Sequence, residues 1–291
     1  MRPELEDWKA RGTTFEHDGR RIFYIREGTG PTLLLVHGYP YNSFDWHRIW
    51  PDLTANYDVI APDMLGMGFS DKPIRHRYSV FEHADMHDAL LEHLGVGKTL
   101  LLAHDLGVSV AQEMLARRRE GALAPRIQAV VLLNGGLFYE VYRPRLVQKL
   151  LTSPFGHVLG PLMNDTVVKA ATREMFGPDT KPTDEDMKPL LEVLYYNHGR
   201  FTSHLVGRFV LERKEFRDRW AEPLIDPAVP IRLINGPLDP NSGAHLAARY
   251  RELVPAPDIV SLDEIGHWPQ LEDPARTFEA AHAFLRGVNS A

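Results

Sequence analysis

The stretch KTLLLAHDLGVSVAQEML, residues 98–115, constrains the fold more than any other part of the chain. It opens with an apolar run at 99–103 and closes in a helical pattern at 108–115, with apolar residues three and four apart. Only Ala103-His104-Asp105-Leu106-Gly107 lies at the junction. A strand that enters a helix with no loop between them must turn sharply, and small residues on either side let the backbones approach. Ala103 and Gly107 are those residues, two positions before and two after Asp105. The pattern predicts a nucleophile elbow, with the apex side chain held on a strained turn at the top of a sheet. The usual apex residue is serine, whose hydroxyl attacks carbonyl carbon after losing its proton to a base. Here the apex is Asp105. A carboxylate is already anionic at neutral pH. It can displace a leaving group from saturated carbon and remain as an alkyl ester on the protein.

The rest of the chain supplies a sheet for that elbow. Asp18-Gly19 is a hairpin signal between strands at 13–17 and 21–26. A buried strand at 32–36 runs into His37-Gly38-Tyr39-Pro40. A helical stretch around 46–53, a strand at 57–61, a glycine-rich loop at 64–73 and a helix at 79–94 follow. After the elbow comes a strand at 127–133. Residues 137 to about 220 are helical in pattern, broken at Pro144, Pro154, Pro161, Pro178, Pro182 and Pro189. Alternation resumes with a strand at 230–235, a helix at 243–253, a strand at 259–262 and a helix at 274–285. Strands alternating with helices predict an α/β fold with a mostly parallel, doubly wound sheet. The helical block after the sixth strand reads as a cap domain, 137–220, over a core formed by 1–136 and 221–291. It would cover the C-terminal edge of the sheet, where such folds place ligands.

Two later strand ends reach that same edge. The strand at 231–235 runs into Gly236-Pro237-Leu238-Asp239-Pro240, and the last strand runs into Ile265-Gly266-His267-Trp268. An aspartyl ester must be hydrolysed, which needs a base for water and an acid to orient the base. The order Asp105, Asp239, His267 supplies nucleophile, acid and base. The alternative slot for the acid, after the strand at 127–133, holds Asn134. Backbone N–H groups of Tyr39 and Leu106 are expected to form an oxyanion hole for the carbonyl oxygen of Asp105 itself. His37, His104 and Trp268, beside these motifs, are the expected pocket residues.

Composition excludes other chemistries. A net charge of −6 argues against a nucleic-acid partner. With no cysteine, disulfides and thiolate chemistry are absent. No apolar run approaches the roughly 20 residues that span a bilayer, and the first residues lack a signal-peptide core. The expectation is a soluble cytoplasmic protein, monomer or homodimer, with no membrane partner. His83 and His87 sit four apart, a spacing that can bind zinc, but there is no HExxH glutamate between them. They are expected on a solvated helix face, and no metal site is expected.

With these residues in hand, the chain resembles the α/β-hydrolase superfamily, in its epoxide hydrolase and haloalkane dehalogenase branch. HGYP, DMLGMGFSDKP, AHDLGVSVAQE, GPLDP and IGHWPQLEDP carry the resemblance. NGGLFYEVYRP extends it toward the vertebrate mesoderm-specific transcript family. The resemblance implies an eight-stranded sheet, a small hydrophobic epoxide or related small molecule as substrate, a vicinal diol as product, and no cofactor. Haloalkane dehalogenases resemble one another in a tryptophan directly after the nucleophile and often an asparagine after the HG pair; Leu106 and Tyr39 stand in those places. Epoxide hydrolases use two cap tyrosines to protonate the opening oxygen. By that analogy one would come from Tyr139 and Tyr142, and one from Tyr195 and Tyr196. The alternatives are a dehalogenase-like or other aspartate-dependent hydrolase and, in another class, a ligand-binding protein with little turnover.

Overall fold

The computed structural model describes residues 1–121, 126–153 and 155–289, so the break expected at Pro154 lies outside the described residues. A helix that the polar N-terminal sequence does not announce, α1 (Pro3–Arg11), comes first. Proline at its first position and Glu4 and Glu6 in its first turn suit a helix start, and it buries Leu5 and Trp8. β1 (Thr13–His17) and β2 (Arg20–Glu27) form the hairpin around Asp18-Gly19, both residues with positive φ. Then come β3 (Thr32–Val36), α2 (Trp50–Thr54), β4 (Asp58–Pro62), α3 (Val80–His93), β5 (Lys98–Ala103), α4 (Leu106–Arg119) and β6 (Arg126–Leu132).

Among the described residues seven α-helices follow, with no strand between them. They are α5 (Leu146–Thr152), α6 (Gly156–Leu162), α7 (Asp165–Arg173), α8 (Asp184–Tyr195), α9 (Gly199–Val206), α10 (Phe209–Glu215) and α11 (Arg217–Ile225). The sheet resumes with β7 (Ile231–Asn235), α12 (Ala244–Leu253), β8 (Asp258–Ser261), α13 (Pro269–Glu272) and α14 (Pro274–Asn289).

The eight strands form one sheet in the order β1-β2-β4-β3-β5-β6-β7-β8. β2 pairs antiparallel with β1 and β4; every other pairing is parallel. This is the mostly parallel sheet flanked by helices that the alternation predicts. Successive strand residues enter opposite apolar layers: Leu34, Leu101 and Val130 pack on the α3 and α4 side, and Leu33, Leu100 and Ala129 on the other. Parallel strands buried on both faces read as unbroken apolar runs, as LLLV and LLLA do.

The helical block departs from its sequence reading in two ways. Pro161 and Pro189 lie inside α6 and α8. Each removes one backbone donor. In α8 the capping box of Thr183 and Asp186 and the burial of Leu190, Leu191 and Val193 offset that loss. The boundary drawn between 220 and 221 also falls inside α11, which lies along α4. The Gln112 side chain donates to the Trp220 carbonyl at 2.7 Å, and the Trp220 indole donates to Glu113 at 2.9 Å.

His83 and His87 are not solvated. Both are buried on the inner face of α3. Val80, His83, Ala84, His87 and Leu91 follow helical spacing, so the histidines share the face that packs inward. Among the described residues no group of acidic, histidine or cysteine side chains could hold a metal ion, and no helix is long and apolar enough to cross a membrane.

Candidate active site

β5 passes into α4 at Asp105, whose φ of 45° and ψ of −104° place it far from ordinary helix or strand geometry. Such a turn survives only where its neighbours hold it. A Cβ on Gly107 would lie 2.1 Å from the Val36 carbonyl oxygen, so only glycine fits. The Asp105 N–H donates to the Asn134 carbonyl at 2.8 Å and ties the elbow to the end of β6.

The ends of β3, β7 and β8 converge on this carboxylate. The Tyr39 N–H donates to Asp105 Oδ2 at 3.1 Å. Leu106 is the first residue of α4, where an N–H has no acceptor within the helix. His267 Nε2 stands 3.9 Å from Asp105 Oδ1, and its Nδ1 donates to Asp239 Oδ2 at 2.7 Å. Asp239 is over-determined. Oδ2 also accepts from Ser242 Oγ and from Asn134 Nδ2, and Oδ1 accepts from the Asn241 N–H at 2.7 Å. Burial pushes the Asp239 carboxyl up, but the His267 charge and these hydrogen bonds outweigh it and hold it down at about 2. Burial pulls His267 down. The Asp239 carboxylate, then Asp105 and Glu272, more than offset this and leave it above the ordinary histidine value.

Sequence reading missed Arg213 of α10. Its guanidinium is almost fully buried. Nη2 donates to the Asp105 carbonyl at 2.8 Å and lies 3.6 Å from Asp105 Oδ1, while Nε donates to Ser109 Oγ at 2.8 Å. It supplies counter-charge to a buried carboxylate and pins the strained turn from the helical side. A Cβ on Gly136 would come within 2.6 Å of Nη1, so NGG must stay small. No local pattern marks an arginine 108 residues from its partner.

A cavity of about 960 Å³ opens above the elbow. Tyr39, Asp105, His267 and Trp268 line it from the sheet side, and Leu151, Val168, Tyr195 and Ser203 line it from the helical block. His37 and His104, expected in the pocket, are not among the lining residues. His37 Nδ1 donates to the Gly38 carbonyl and Nε2 accepts from the Met64 N–H at 2.9 Å. His104 Nε2 donates to the His267 carbonyl at 2.8 Å, and burial drives its pKa down to about 3. Both rings brace the loops behind the cavity as neutral groups.

The cap tyrosines divide. Tyr195 lines the cavity, and its hydroxyl is buried. Tyr196 turns away, with its hydroxyl accepting from Lys9 at 2.8 Å and its ring edge-on to Phe69. Tyr142 packs against the Arg213 guanidinium, and neither it nor Tyr139 lines the cavity. Tyr39 and Ser203 of α9 also line it, with their hydroxyls 3.0 Å apart.

Known proteins are similar to this chain in sequence and in fold. A family model for the alpha/beta hydrolase fold matches residues 31–274. The mesoderm-specific transcript protein of Mus musculus is 40% identical over 301 residues, covering 98% of this chain and 89% of that protein. Among solved structures, the epoxide hydrolase CorEH without ligand aligns with a TM-score of 0.78 at 20% identity, covering 95% of this chain and 99% of its own. Haloalkane dehalogenase DbeA from Bradyrhizobium elkani USDA94 aligns at 0.81 and 20% identity, covering 96% and 98%. At such identity the two structures speak to the fold alone.

Proposed function

The chain belongs to the alpha/beta hydrolase fold family, and from that premise we propose that it is an epoxide hydrolase working through an aspartyl ester. The observation that carries this reading is the buried Asp105 carboxylate at the elbow apex, with His267 Nε2 3.9 Å away and Asp239 behind it at 2.7 Å. A hydroxyl nucleophile would need its base in contact to remove a proton. A carboxylate does not, and 3.9 Å is a span that one water can bridge.

In the first half-reaction, Asp105 Oδ1 attacks an epoxide carbon and the C–O bond of the ring breaks. The leaving oxygen takes a proton from the Tyr39–Ser203 pair on the cavity wall. Burial, the largest influence, pushes the Tyr39 hydroxyl up to about 12, so it stays a donor at neutral pH. In the second, His267 removes a proton from water, which attacks the ester carbonyl carbon. The tetrahedral oxyanion on Asp105 is held by the Tyr39 and Leu106 N–H groups. Collapse breaks the bond between the carbonyl carbon and the alkyl oxygen, which takes the proton from His267 and leaves as the diol; the acid proton then left on Asp105 returns to the Tyr39–Ser203 pair and restores the carboxylate.

The two steps are coupled through charge. In the free protein the Asp105 carboxylate is one of the groups that raise His267. Ester formation removes that charge, so the imidazole drifts back toward neutrality when a base is needed.

A single-turnover reaction in ¹⁸O-water tests the covalent route. The first diol should carry an unlabelled oxygen from Asp105; label entering directly from solvent overturns the ester intermediate. A second reading, displacement of halide from a haloalkane, is favoured by one observation. Of the four cap tyrosines only Tyr195 lines the cavity, and its hydroxyl is buried, whereas halide needs no proton to leave. Leu106 stands against it, because its side chain cannot donate to a halide. Halide release from bromoalkanes, set beside diol formation from styrene oxide, separates the two.

A further inference from the structure

The outer face of the helical block carries a feature that the reaction does not use. Phe155, Val158, Leu159 and Leu162 fall at i, i+3, i+4 and i+7, the stripe that a helix normally turns toward a core. Here it faces out, with Phe155 70% and Leu162 72% exposed. The inward side of α6 is built from glycine. A Cβ on Gly160 would lie 2.7 Å from His204 of α9, so the helix packs closely through its small residues and holds the stripe outward. On α5, Leu146 and Leu150 are exposed beside it. Seven of the twelve exposed large hydrophobic residues among the described residues lie within 146–167. Scattered exposed apolar side chains are ordinary; a contiguous set of this kind marks an interaction surface.

Charge says what the surface meets. Residues 141–164 contain no aspartate or glutamate but hold Arg143, Arg145, Lys149 and His157. Arg145 pairs with Glu174. Arg143 and Lys149 are exposed and have no carboxylate partner among the described residues. The flanking acids are engaged: Glu140 with Arg249 at 3.0 Å, and Asp165 near Arg200 at 3.8 Å. Arg143, Leu146 and Val167 also line the cavity, so its mouth opens on this face.

We propose that the α5–α6 face docks on an anionic lipid surface, which places the cavity mouth against the bilayer. Outward Phe and Leu would enter the headgroup–acyl boundary while Arg143 and Lys149 meet anionic headgroups. A second copy of the chain is the poorer occupant, because a two-fold contact would set these cations against one another. No described helix can span the membrane, so the contact is interfacial. The docking does not depend on the reaction proposed above, and its test needs no turnover.

The test is flotation of the full chain with phosphatidylcholine vesicles, with and without phosphatidylglycerol. The expected result is co-flotation with phosphatidylglycerol vesicles that weakens in high salt. Phe155→Ser combined with Leu162→Ser should reduce the bound fraction about tenfold or more. Neither residue lines the cavity, and an unchanged circular dichroism spectrum and melting temperature would report that the variant is folded. No flotation, or flotation equal in the double variant, overturns the proposal. So does a concentration-dependent dimer of the parent chain that the double variant abolishes, since the stripe would then be covered by a second copy.

Discussion

His267 lies beyond β8 with Asp239 2.7 Å from its Nδ1, whereas His83 and His87 lie on α3 among Val80, Ala84 and Leu91. All three are buried. Burial pulls each of them down, to about 3 for His83 and about 4 for His87. At His267 the carboxylates of Asp239, Asp105 and Glu272 reverse the direction. Burial therefore does not make a catalytic base; an opposite charge within reach of the buried ring does. The α3 pair has no such partner. His87 Nδ1 donates to the His83 carbonyl, and its Nε2 is buried without a hydrogen-bond partner among the described residues.

The largest expected effect breaks the partnered side of this contrast. His267→Gln should slow turnover by about 10⁴-fold while leaving Asp105 able to attack. Intact-mass spectrometry after substrate addition should then show the protein carrying one substrate mass. An unmodified protein would show that His267 acts before the ester forms. Asp239→Asn should cost about 10²- to 10⁴-fold and shift the pH dependence of the residual activity. Neutral His267 is the active form and its pKa is raised in the parent, so the parent rate falls as pH drops below that raised value. Without the carboxylate the fall should move to lower pH. A pH–rate profile that stays in place would mean that Asp239 does not set the base.

Arg213→Met sharpens the comparison from the nucleophile's side, because it leaves Asp105 buried without its counter-charge. It should lower the rate of ester formation about 10- to 100-fold, with Arg213→Lys recovering part of it. Rapid-quench measurement of the first turnover checks this, and equal loss in ester hydrolysis would argue for a purely structural role.

The smallest effect concerns the unpartnered pair and reads on stability alone. The unfolded chain takes up protons at histidine below about 6.5, whereas folded His83 and His87 resist until about 3 and about 4. Their contribution is fully present above 6.5 and is lost as pH falls, by about 1.4 kcal/mol per pH unit for each histidine. His83→Leu should flatten that acid limb, measured as the shift in urea midpoint between neutral and mildly acidic pH. An unchanged limb would mean that His83 is protonated in the folded state.

Much of the sheet was legible because its signals are local. LLLV, LLLA and the strand at 127–133 are each bounded by turn residues, and the elbow's small residues flank Asp105 directly. His267 and Asp239 could be placed together because the ends of parallel strands share one edge. The α3 histidines were misplaced although Val80, Ala84 and Leu91 share their helical face, a periodicity that was there to be read. Helix α1 was missed because two apolar residues, Leu5 and Trp8, are too few to show a period.

Residue order alone determined the alternation of strand and helix, the kinked turn with an acid at its apex, and which loops follow which strands. Each depends on side-chain spacing or backbone sterics over a few residues. Only the tertiary structure decided that Arg213 reaches Asp105 from α10, that Tyr39 and Ser203 line the cavity while Tyr196 turns to Lys9, and that the apolar stripe of α6 points outward. Spacing assigns side chains to a common face; what that face meets depends on how elements far apart in the chain pack together.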